Sequence, residues 1–155
     1  MSVTAKSNRA ATCEQAIKNA LIATTFTGQL MDEDSVHYLA FQCTLNLDRK
    51  FPAIGIKCAA PVPEGFLMPI RRVLVNMLVL THIEDDEDRA QLARLVGAIE
   101  TMIDAANTGT STFATTYLPT GWTFGGFMQQ DGGEPYVEDD YSAFPLQYEM
   151  EIAVA

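Results

Sequence analysis

The hydrophobic residues of this chain recur with two periods, one typical of helices and one typical of strands. The helical period appears first near the N-terminus, on a face of small and apolar residues: Cys13, Ala16, Ile17, Ala20 and Leu21. Thr12, followed three residues later by Gln15, fits a capping box, and Gly28 is typical of a helix end. The pattern predicts a first helix over about residues 13–26.

Alternation of apolar and polar residues then predicts two strands. In residues 37–47 (HYLAFQCTLNL) one face carries His37, Leu39, Phe41, Cys43, Leu45 and Leu47. Residues 52–60 (PAIGIKCAA) form a shorter strand, with Pro52 at a position where a strand can begin. We expect both strands to belong to one sheet.

Prolines interrupt the pattern after the second strand. Residues 61–69 (PVPEGFLMP) contain three prolines and one glycine, which neither a regular strand nor a helix accommodates. We expect an irregular arm at this place. Its Phe66, Leu67 and Met68 favour contact with a partner, because exposed apolar clusters often mark partner surfaces. A loop folded back on its own core accounts for the same residues equally well.

The next strand, residues 73–80, is apolar on both faces except for Asn76. This pattern is typical of a strand that is covered on each side, or that a neighbouring subunit covers on one side. We therefore place it at the centre of the sheet.

An acidic cluster follows the central strand, in the stretch LVLTHIEDDEDRAQL. Asp85 or Asp86 can serve as the N-cap of a helix, with Glu87 and Asp88 in its first turn, where the helix dipole stabilises carboxylates. The cluster, which also contains Glu84, lacks the spacing of a calcium loop. Because capping accounts for the same carboxylates, we expect no metal there.

The helix that begins at this cluster is predicted over about residues 86–106. Its apolar face comprises Leu92, Leu95, Val96, Ile99, Met102, Ile103 and Ala106. Arg94, Thr101 and Asp104 lie opposite. We expect residues 107–112 (NTGTST) to close the helix.

Two more strands are predicted near the C-terminus. Residues 122–130 (WTFGGFMQQ) form a strand whose paired glycines indicate a bulge or a close backbone approach. Residues 131–145 (DGGEPYVEDDYSAFP) are predicted to be a loop. In the closing strand, residues 146–154, the inward positions are Leu146, Tyr148, Met150, Ile152 and Val154. Gln147, Glu149 and Glu151 point outward.

Together these elements predict an α+β fold: one domain over residues 1–155, with a mostly antiparallel sheet of four to five strands packed against two helices. A chain of this length buries roughly 68 to 70% of the surface that its unfolded form exposes, so it needs no disulfide or structural metal. The three cysteines, Cys13, Cys43 and Cys58, lack disulfide or zinc spacing and are expected in the core.

Charge narrows the range of partners. Twenty acidic and ten basic residues give a formal net charge of -10, which repels the phosphate backbone, so we expect no tight nucleic-acid binding. The N-terminus has no continuous apolar segment of the signal-peptide kind, and no apolar stretch approaches the roughly 18 residues of a membrane span. We expect a chain that works in the cytoplasm and does not bind membranes.

Candidate catalytic chemistry is sparse. His37 and His82 lie near strand ends, but no serine-nucleophile, phosphate-loop, dinucleotide or zinc-protease motif accompanies them. Trp122 is expected to be a core or interface anchor. We expect no catalytic, cofactor-binding or metal site, and no cofactor.

The order of elements over residues 13–155 resembles that of the tail-terminator and tail-completion proteins of tailed bacteriophages. The resemblance lies in PAIGIKCAAP, then RRVLVNMLVLTHIEDDEDRAQLARLVGAIETMI, then WTFGGFMQQ and the closing LQYEMEIAV. It implies a virion protein, assembled in the host cytoplasm, that forms a hexameric ring at the end of the tail tube. Such a ring stops tube polymerisation and joins the tail to the neck or head-tail connector protein. The acidic charge suits a lumen through which DNA slides.

For this ring hypothesis we predict intersubunit or neck contacts at Phe66, Leu67, Met68, Arg71 and Arg72. Two other hypotheses stay open. In one, the chain is a monomeric or dimeric protein-binding adaptor whose arm binds a peptide. In the other, it is a small enzyme that uses His82 with Glu84 or Asp85 as an acid/base pair.

Overall fold

The computed structural model describes residues 9–23, 36–38, 53–59, 62–63, 70–85, 90–138 and 140–154. The helices in this part of the chain are α1 (Arg9–Ala23), α2 (Ala90–Thr108) and α3 (Thr110–Tyr117), and Ile83–Asp85 form a 3-10 turn. The strands are β1 (Val36–Tyr38), β2 (Ala53–Cys58), β3 (Val62–Pro63), β4 (Ile70–His82), β5 (Thr123–Gly132), β6 (Tyr136–Glu138) and β7 (Tyr141–Ala153).

The strands form a single sheet in the order β1-β2-β4-β7-β5, in which β3 also pairs with β4 and β6 also pairs with β7. Only the pair β1 and β2 is parallel among the described strands. The predicted α+β fold with a mostly antiparallel sheet is confirmed.

The centre of the sheet is a pair of long strands. β4 and β7 have 13 residues each and pair along their whole length, from Ile70 opposite Ala153 to His82 opposite Tyr141. The predicted central strand, residues 73–80, is therefore confirmed and is longer at both ends. The strand predicted from Pro52 is also present, as β2, next to it.

One hydrophobic core lies between the helices and one face of the sheet. Its fully buried members come from helices and strands alike, and include Ile17, Ile56, Val75, Val79, Leu95, Ile99, Met150 and Ile152. Every residue of the predicted apolar face of the second helix is buried, and Arg94, Thr101 and Asp104 are exposed. The inward positions of the closing strand from Leu146 to Ile152 are buried as predicted, and Val154 packs against the core just beyond the strand.

The predicted start of the first helix is wrong. α1 begins at Arg9, so Thr12 lies inside the helix and is not its cap. The reason is that Ala10 and Ala11 are strong helix formers and continue the helix toward the N-terminus. The described part of α2 starts at Ala90, and Asp85 belongs to the 3-10 turn before it. Residues 86–89, and with them the other predicted first-turn acids, lie outside the described residues.

The described residues also contain a third helix, at a place where the sequence predicts only the close of the second. After Gly109, the residues expected to close that helix begin α3 instead. Threonine-rich segments have low helix propensity, but Phe113 is buried and packs on Phe124 and Phe127, with ring centroids 4.4 and 5.8 Å apart. Burial of this aromatic side chain outweighs the unfavourable local propensity.

The loop predicted over residues 131–145 is wrong. The segment contains β6 and the first residues of β7, which pair with each other from Tyr136 opposite Ala143 to Glu138 opposite Tyr141. Pairing gives the backbone groups of this acidic segment partners within the protein, whereas those of a solvated loop would bond to water.

Several predictions fall largely on residues outside the described ranges. Of the strand predicted over residues 37–47, only 37 and 38 are described, as part of β1. Within the predicted irregular arm, Val62–Pro63 form β3, a short strand paired with Arg72 and Arg71, which corrects that part of the prediction. Residues 64–69 and Cys43 lie outside the described residues.

Candidate interaction surface

The two faces of the sheet have different surroundings. None of the described helices packs on the face opposite the core, where the outward side chains of β2, β4, β5 and β7 lie side by side. We call this surface the open face; it consists of Lys57, Arg72, Leu74, Asn76, Met128, Gln147, Glu149 and Glu151. One solvated face is common in antiparallel sheets, and such a face is ordinarily polar.

Two apolar side chains depart from that expectation. Leu74 on the central strand is 38% exposed, and Met128 on β5 is 68% exposed. Both flank Glu149 in one row across the sheet. Farther along the same side of β4 and β7, Leu80 and Ala143 are buried with Leu78 and Tyr141 packed against them. The predicted cover on both sides of β4 is therefore present at Leu80 but not at Leu74, which stays accessible.

Polar contacts hold the middle of the open face together. Arg72 Nη1 lies 3.2 Å from Glu149 Oε1, and Gln147 Nε2 donates a hydrogen bond of 3.0 Å to Asn76 Oδ1. Each contact joins β4 to β7. Arg72 and Glu149 are therefore set on a rigid pair of strands rather than on loops.

The paired glycines produce the bulge that the sequence predicts. The register of β5 against β7 shifts between Phe124 and Gly126, and Gly126 has a φ of 120°. Gly125 has no side chain, which leaves room for the Glu151 carboxylate above it. The result is a depression of about 180 Å³, bordered by Arg72, Glu149, Glu151 and the protruding Met128.

The bulge also turns an edge of the sheet toward α2. The backbone N–H of Phe127 donates to Asn107 Oδ1 at 2.7 Å, and Asn107 Nδ2 donates to the Phe127 carbonyl at 3.0 Å. The carboxamide thus replaces the peptide group of a further strand. A Cβ atom at Gly126 would lie 3.1 Å from Asn107 Oδ1, so the close backbone approach predicted from the glycines is confirmed.

Toward the opposite edge of the sheet, a side chain of α1 occupies a backbone group of β2. This position on β2 lies beyond the residues that pair with the described part of β1. The N–H of Ala59 donates to Leu74 of β4, so the N–H of Cys58 points away from β4, and it donates to Glu14 Oε1 at 2.9 Å. Glu14 is fully buried, and its Oε2 has no hydrogen-bond partner among the described residues. Burial raises the pKa of the Glu14 carboxyl, and the bond from Cys58 and the ammonium of Lys57 counteract part of that rise.

The cysteines beside Glu14 are core residues, as predicted for Cys13 and Cys58. Burial, with a smaller contribution from Glu14, raises the pKa of the Cys13 thiol to about 12. Burial also raises the pKa of the Cys58 thiol well above its ordinary value. Both thiols are therefore protonated at neutral pH and behave as small apolar side chains.

The predicted contact residues are only partly brought together. Arg71 and Arg72 lie on opposite faces of β4, with Arg72 on the open face and Arg71 Nη1 donating to the Ile70 carbonyl. Phe66, Leu67 and Met68 lie outside the described residues. Met128 is absent from the predicted contacts. The alternation of WTFGGFMQQ, with a bulge at its paired glycines, places Met128 on the outward side, so the sequence contains a signal for this residue. Glu149 and Glu151 are predicted to point outward, but without a role.

The histidine of the enzyme hypothesis has an acidic neighbour that the sequence does not predict. His82 Nε2 lies 3.4 Å from Asp140 Oδ2, just before β7, so the acidic neighbour of His82 is a residue other than the predicted Glu84 or Asp85. Tyr141 donates to Glu138 nearby, at 3.1 Å. Trp122 is buried in the core. Within the described ranges, no three histidine, cysteine or acidic side chains are grouped closely enough to hold a metal ion.

A larger groove of about 850 Å³ lies among the three helices, lined by residues that include Ala20, Ala105, Thr112, Phe113 and Tyr117. Threonine hydroxyls at its rim donate to carbonyls of their own helices, as Thr108 does to Asp104. No helix in the described part of the chain is long and apolar enough to span a membrane.

In comparisons with known proteins, no protein-family model matches the chain, and no curated protein matches it.

Proposed function

We propose that this chain is a structural subunit of the tail of a tailed bacteriophage, of the tail-terminator and tail-completion kind. In this proposal its copies close into a ring, with a hexamer expected, at the end of the tail tube. The ring stops tube growth and offers a docking surface to the neck or head-tail connector protein. The protein is then part of the virion after assembly in the host cytoplasm.

The observation that carries the proposal is the open face of the sheet. A subunit that acts through assembly needs an accessible surface with apolar side chains on rigid elements. Leu74 lies on a long strand inside the sheet and is still accessible, and Met128 protrudes from β5. These positions favour a surface for contact with protein over one that is only solvated.

The order of the elements supports the same proposal. A short strand that follows a proline lies beside a long central strand, and an acid-rich turn precedes the second helix. A long alternating strand closes the domain beside the central strand. These are the features on which the resemblance to tail-terminator proteins rests.

The first experiment is the absolute mass of the purified protein, measured by light scattering over a concentration series, with negative-stain imaging of any large species. We expect an assembly of about six copies with a central hole, the closed symmetry typical of such proteins. A mass of one 17.0 kDa chain at every concentration would contradict the proposal and favour the adaptor hypothesis.

The predicted arm contact needs its own test. Replacing Phe66, Leu67 and Met68 together by serine is expected to lower the mass of the assembly or to abolish its joining to tail tubes. The matched control replaces three exposed α2 residues, Arg94, Thr101 and Asp104, by serine. If the arm variant assembles and joins tubes like the unchanged protein, the arm is not a contact element.

A further inference from the structure

We infer that the open face of one copy of this chain binds the groove among the three helices of the next copy, with Met128 inserted into that groove. This inference rests on the proposed function, because it names the two surfaces through which neighbouring subunits associate. It is carried by three features of these surfaces: they lie on opposite sides of the sheet, their shapes are complementary, and they carry little of the negative charge of the chain.

The two surfaces face in opposite directions. Met128 lies on the open face, on which none of the described helices packs. The groove lies in the helix layer, and its α2 residues Thr101, Asp104 and Ala105 are exposed, so it opens away from the sheet. A closed ring of identical copies needs two different surfaces on each copy, one for each neighbour. Surfaces on opposite sides of the sheet meet this need, because every copy can then contact one neighbour in front and another behind.

The shapes of the two surfaces are complementary. Met128 protrudes from β5 with 68% of its surface exposed, and Leu74 is accessible two strands away, on β4. The groove has a volume of about 850 Å³, and its lining includes the apolar Ala20, Ala105 and Phe113. A protruding apolar side chain and an apolar groove are the two halves of an anchored contact. Methionine suits the protruding half, since its flexible thioether fills irregular gaps.

Charge favours a second copy as the occupant of the groove. The chain as a whole has a formal net charge of -10, so most of its surface repels another copy. Asp104 is the only charged residue among the described residues that line the groove. The open face carries as many cations as anions: Lys57, Arg72, Glu149 and Glu151. Contact between these two surfaces therefore brings little like charge together.

Pairing of strands at the sheet edges is a less favourable way to join copies. Asn107 occupies both backbone groups of Phe127 on β5, and Glu14 occupies the N–H of Cys58 on β2. A strand of another copy cannot pair with the sheet at these two places unless it displaces a side chain. Within the described part of the chain, the open face and the groove are more accessible than these two edge positions.

The test uses two separately made variants, each of which alters one of the two surfaces. Met128→Ser removes the protruding side chain. Ala105→Glu places a carboxylate in the groove, where burial beneath a neighbouring copy is costly. We expect each variant alone to associate about tenfold or more weakly than the unchanged protein, measured as mass by light scattering over a concentration series.

Mixing the two variants tests the head-to-tail geometry of the contact. The Ala105→Glu variant keeps an unchanged open face, and the Met128→Ser variant keeps an unchanged groove, so one contact can form between them. The other surface of each variant is altered, so no third copy can be added. At concentrations at which each variant alone is a monomer, we therefore expect the mixture to form pairs with twice the 17.0 kDa mass of one chain, and no ring.

Matched controls place similar changes outside the two surfaces. Ala93→Glu introduces the same carboxylate on the exposed side of α2 but away from the groove. Gln129→Ser shortens an exposed side chain next to Met128, on the other side of β5. Both controls should keep the mass of the unchanged protein. Circular dichroism and urea unfolding of every variant show whether the fold is retained.

The outcomes separate this inference from the proposed function. If the unchanged protein is a monomer at every concentration, the self-assembly of the proposed function fails and the inference fails with it. If the unchanged protein assembles, three results overturn the inference alone: single variants that keep its mass, a mixture that stays monomeric, or a mixture that recovers the full assembly. Lower stability to urea without a change of mass in the Ala105→Glu variant would show that another part of the same chain fills the groove.

Discussion

At two edge positions of the sheet, one on β2 and one on β5, a helix side chain forms hydrogen bonds with the strand backbone. The two positions differ in the chemistry of that side chain. On β2, past the described part of β1, a buried carboxylate, Glu14, accepts one hydrogen bond from Cys58. On β5 an exposed carboxamide, Asn107, both donates to and accepts from Phe127. In each case a helix of the covering layer extends one side chain to a backbone group that no described strand reaches.

The difference shows that exposure to solvent determines which hydrogen-bonding groups the helix side chain must supply. The backbone group on β2 is buried, so an acceptor must be present even though the acceptor is an ionisable group whose burial is costly. The backbone group on β5 is near water, which could satisfy it in part. There the carboxamide favours one arrangement of α2 against β5, because it bonds to both the N–H and the carbonyl of Phe127 at once.

The largest effect is expected from breaking the buried contact. The substitution Glu14→Ala removes the acceptor of the Cys58 N–H and leaves a cavity, and should lower the free energy of unfolding by about 2 to 4 kcal/mol. Urea denaturation measures the change. Glu14→Gln, which keeps an acceptor oxygen and nearly the same volume, is the control and should cost less than about 1 kcal/mol. Equal losses in the two variants would show that the hydrogen bond is not what matters.

The glycine that admits Asn107 comes next. Gly126 has a φ of 120°, and Gly126→Ala also places a Cβ 3.1 Å from Asn107 Oδ1. We expect a loss of about 1 to 3 kcal/mol in the free energy of unfolding, from backbone strain at that angle. The control is Gly97→Ala within α2, where a Cβ meets nothing within 4 Å. The control should be neutral or stabilise the protein by up to about 1 kcal/mol.

Breaking the exposed contact between Asn107 and Phe127 should have a smaller effect on the free energy of unfolding. Asn107→Ala removes two hydrogen bonds that water can partly replace, so the free energy of unfolding should fall by about 1 to 2 kcal/mol. Asn107→Asp keeps an acceptor for the Phe127 N–H but has no donor for the carbonyl, and its loss should lie between zero and that of Asn107→Ala. A larger loss for Asn107→Ala than for Glu14→Ala would contradict the role assigned to solvent.

The smallest effect is a difference in pH dependence. The pKa of Glu14 is raised in the folded protein, so its contribution to stability is fully present below the unfolded value of about 4.3 and is lost as pH rises through the folded value. The Glu14→Gln variant has no titratable group at this position, and the Asn107 contact on β5 contains none in the unchanged protein. The free energy of unfolding of the variant, relative to the unchanged protein, should therefore rise as the pH increases above about 4.3. A constant difference would mean that the carboxyl keeps its ordinary pKa.

Regular periodicity accounts for the parts of the fold that the sequence predicts. The buried face of α2, the central position of β4 and the inward residues of β7 repeat at fixed spacing, so each is visible without knowledge of the rest. The glycine bulge is also visible, because two adjacent glycines inside a strand pattern are typical of a bulge. On the open face, the sequence predicts Arg72 as a contact and places Glu149 and Glu151 on the outward side.

Other elements depend on contacts that local patterns do not encode. The helix α3 forms because Phe113 packs on aromatic residues of β5, against the preference of its threonines. The strand β6 forms because the start of β7 is available for pairing. The sequence predicts irregular segments at both places, since local propensity is weak where tertiary packing decides.

By itself the sequence determined an α+β fold, a central apolar strand, an amphipathic second helix and a strongly acidic chain. Only the tertiary structure decided that one face of the sheet is left accessible, which charges meet on it, and how its edges are closed. The reason is distance along the chain: Glu14 bonds to a residue 44 positions away, and Asn107 to one 20 positions away. A single polar residue that bonds to distant backbone has no periodic signature, so its partner is defined only when the fold brings the two together.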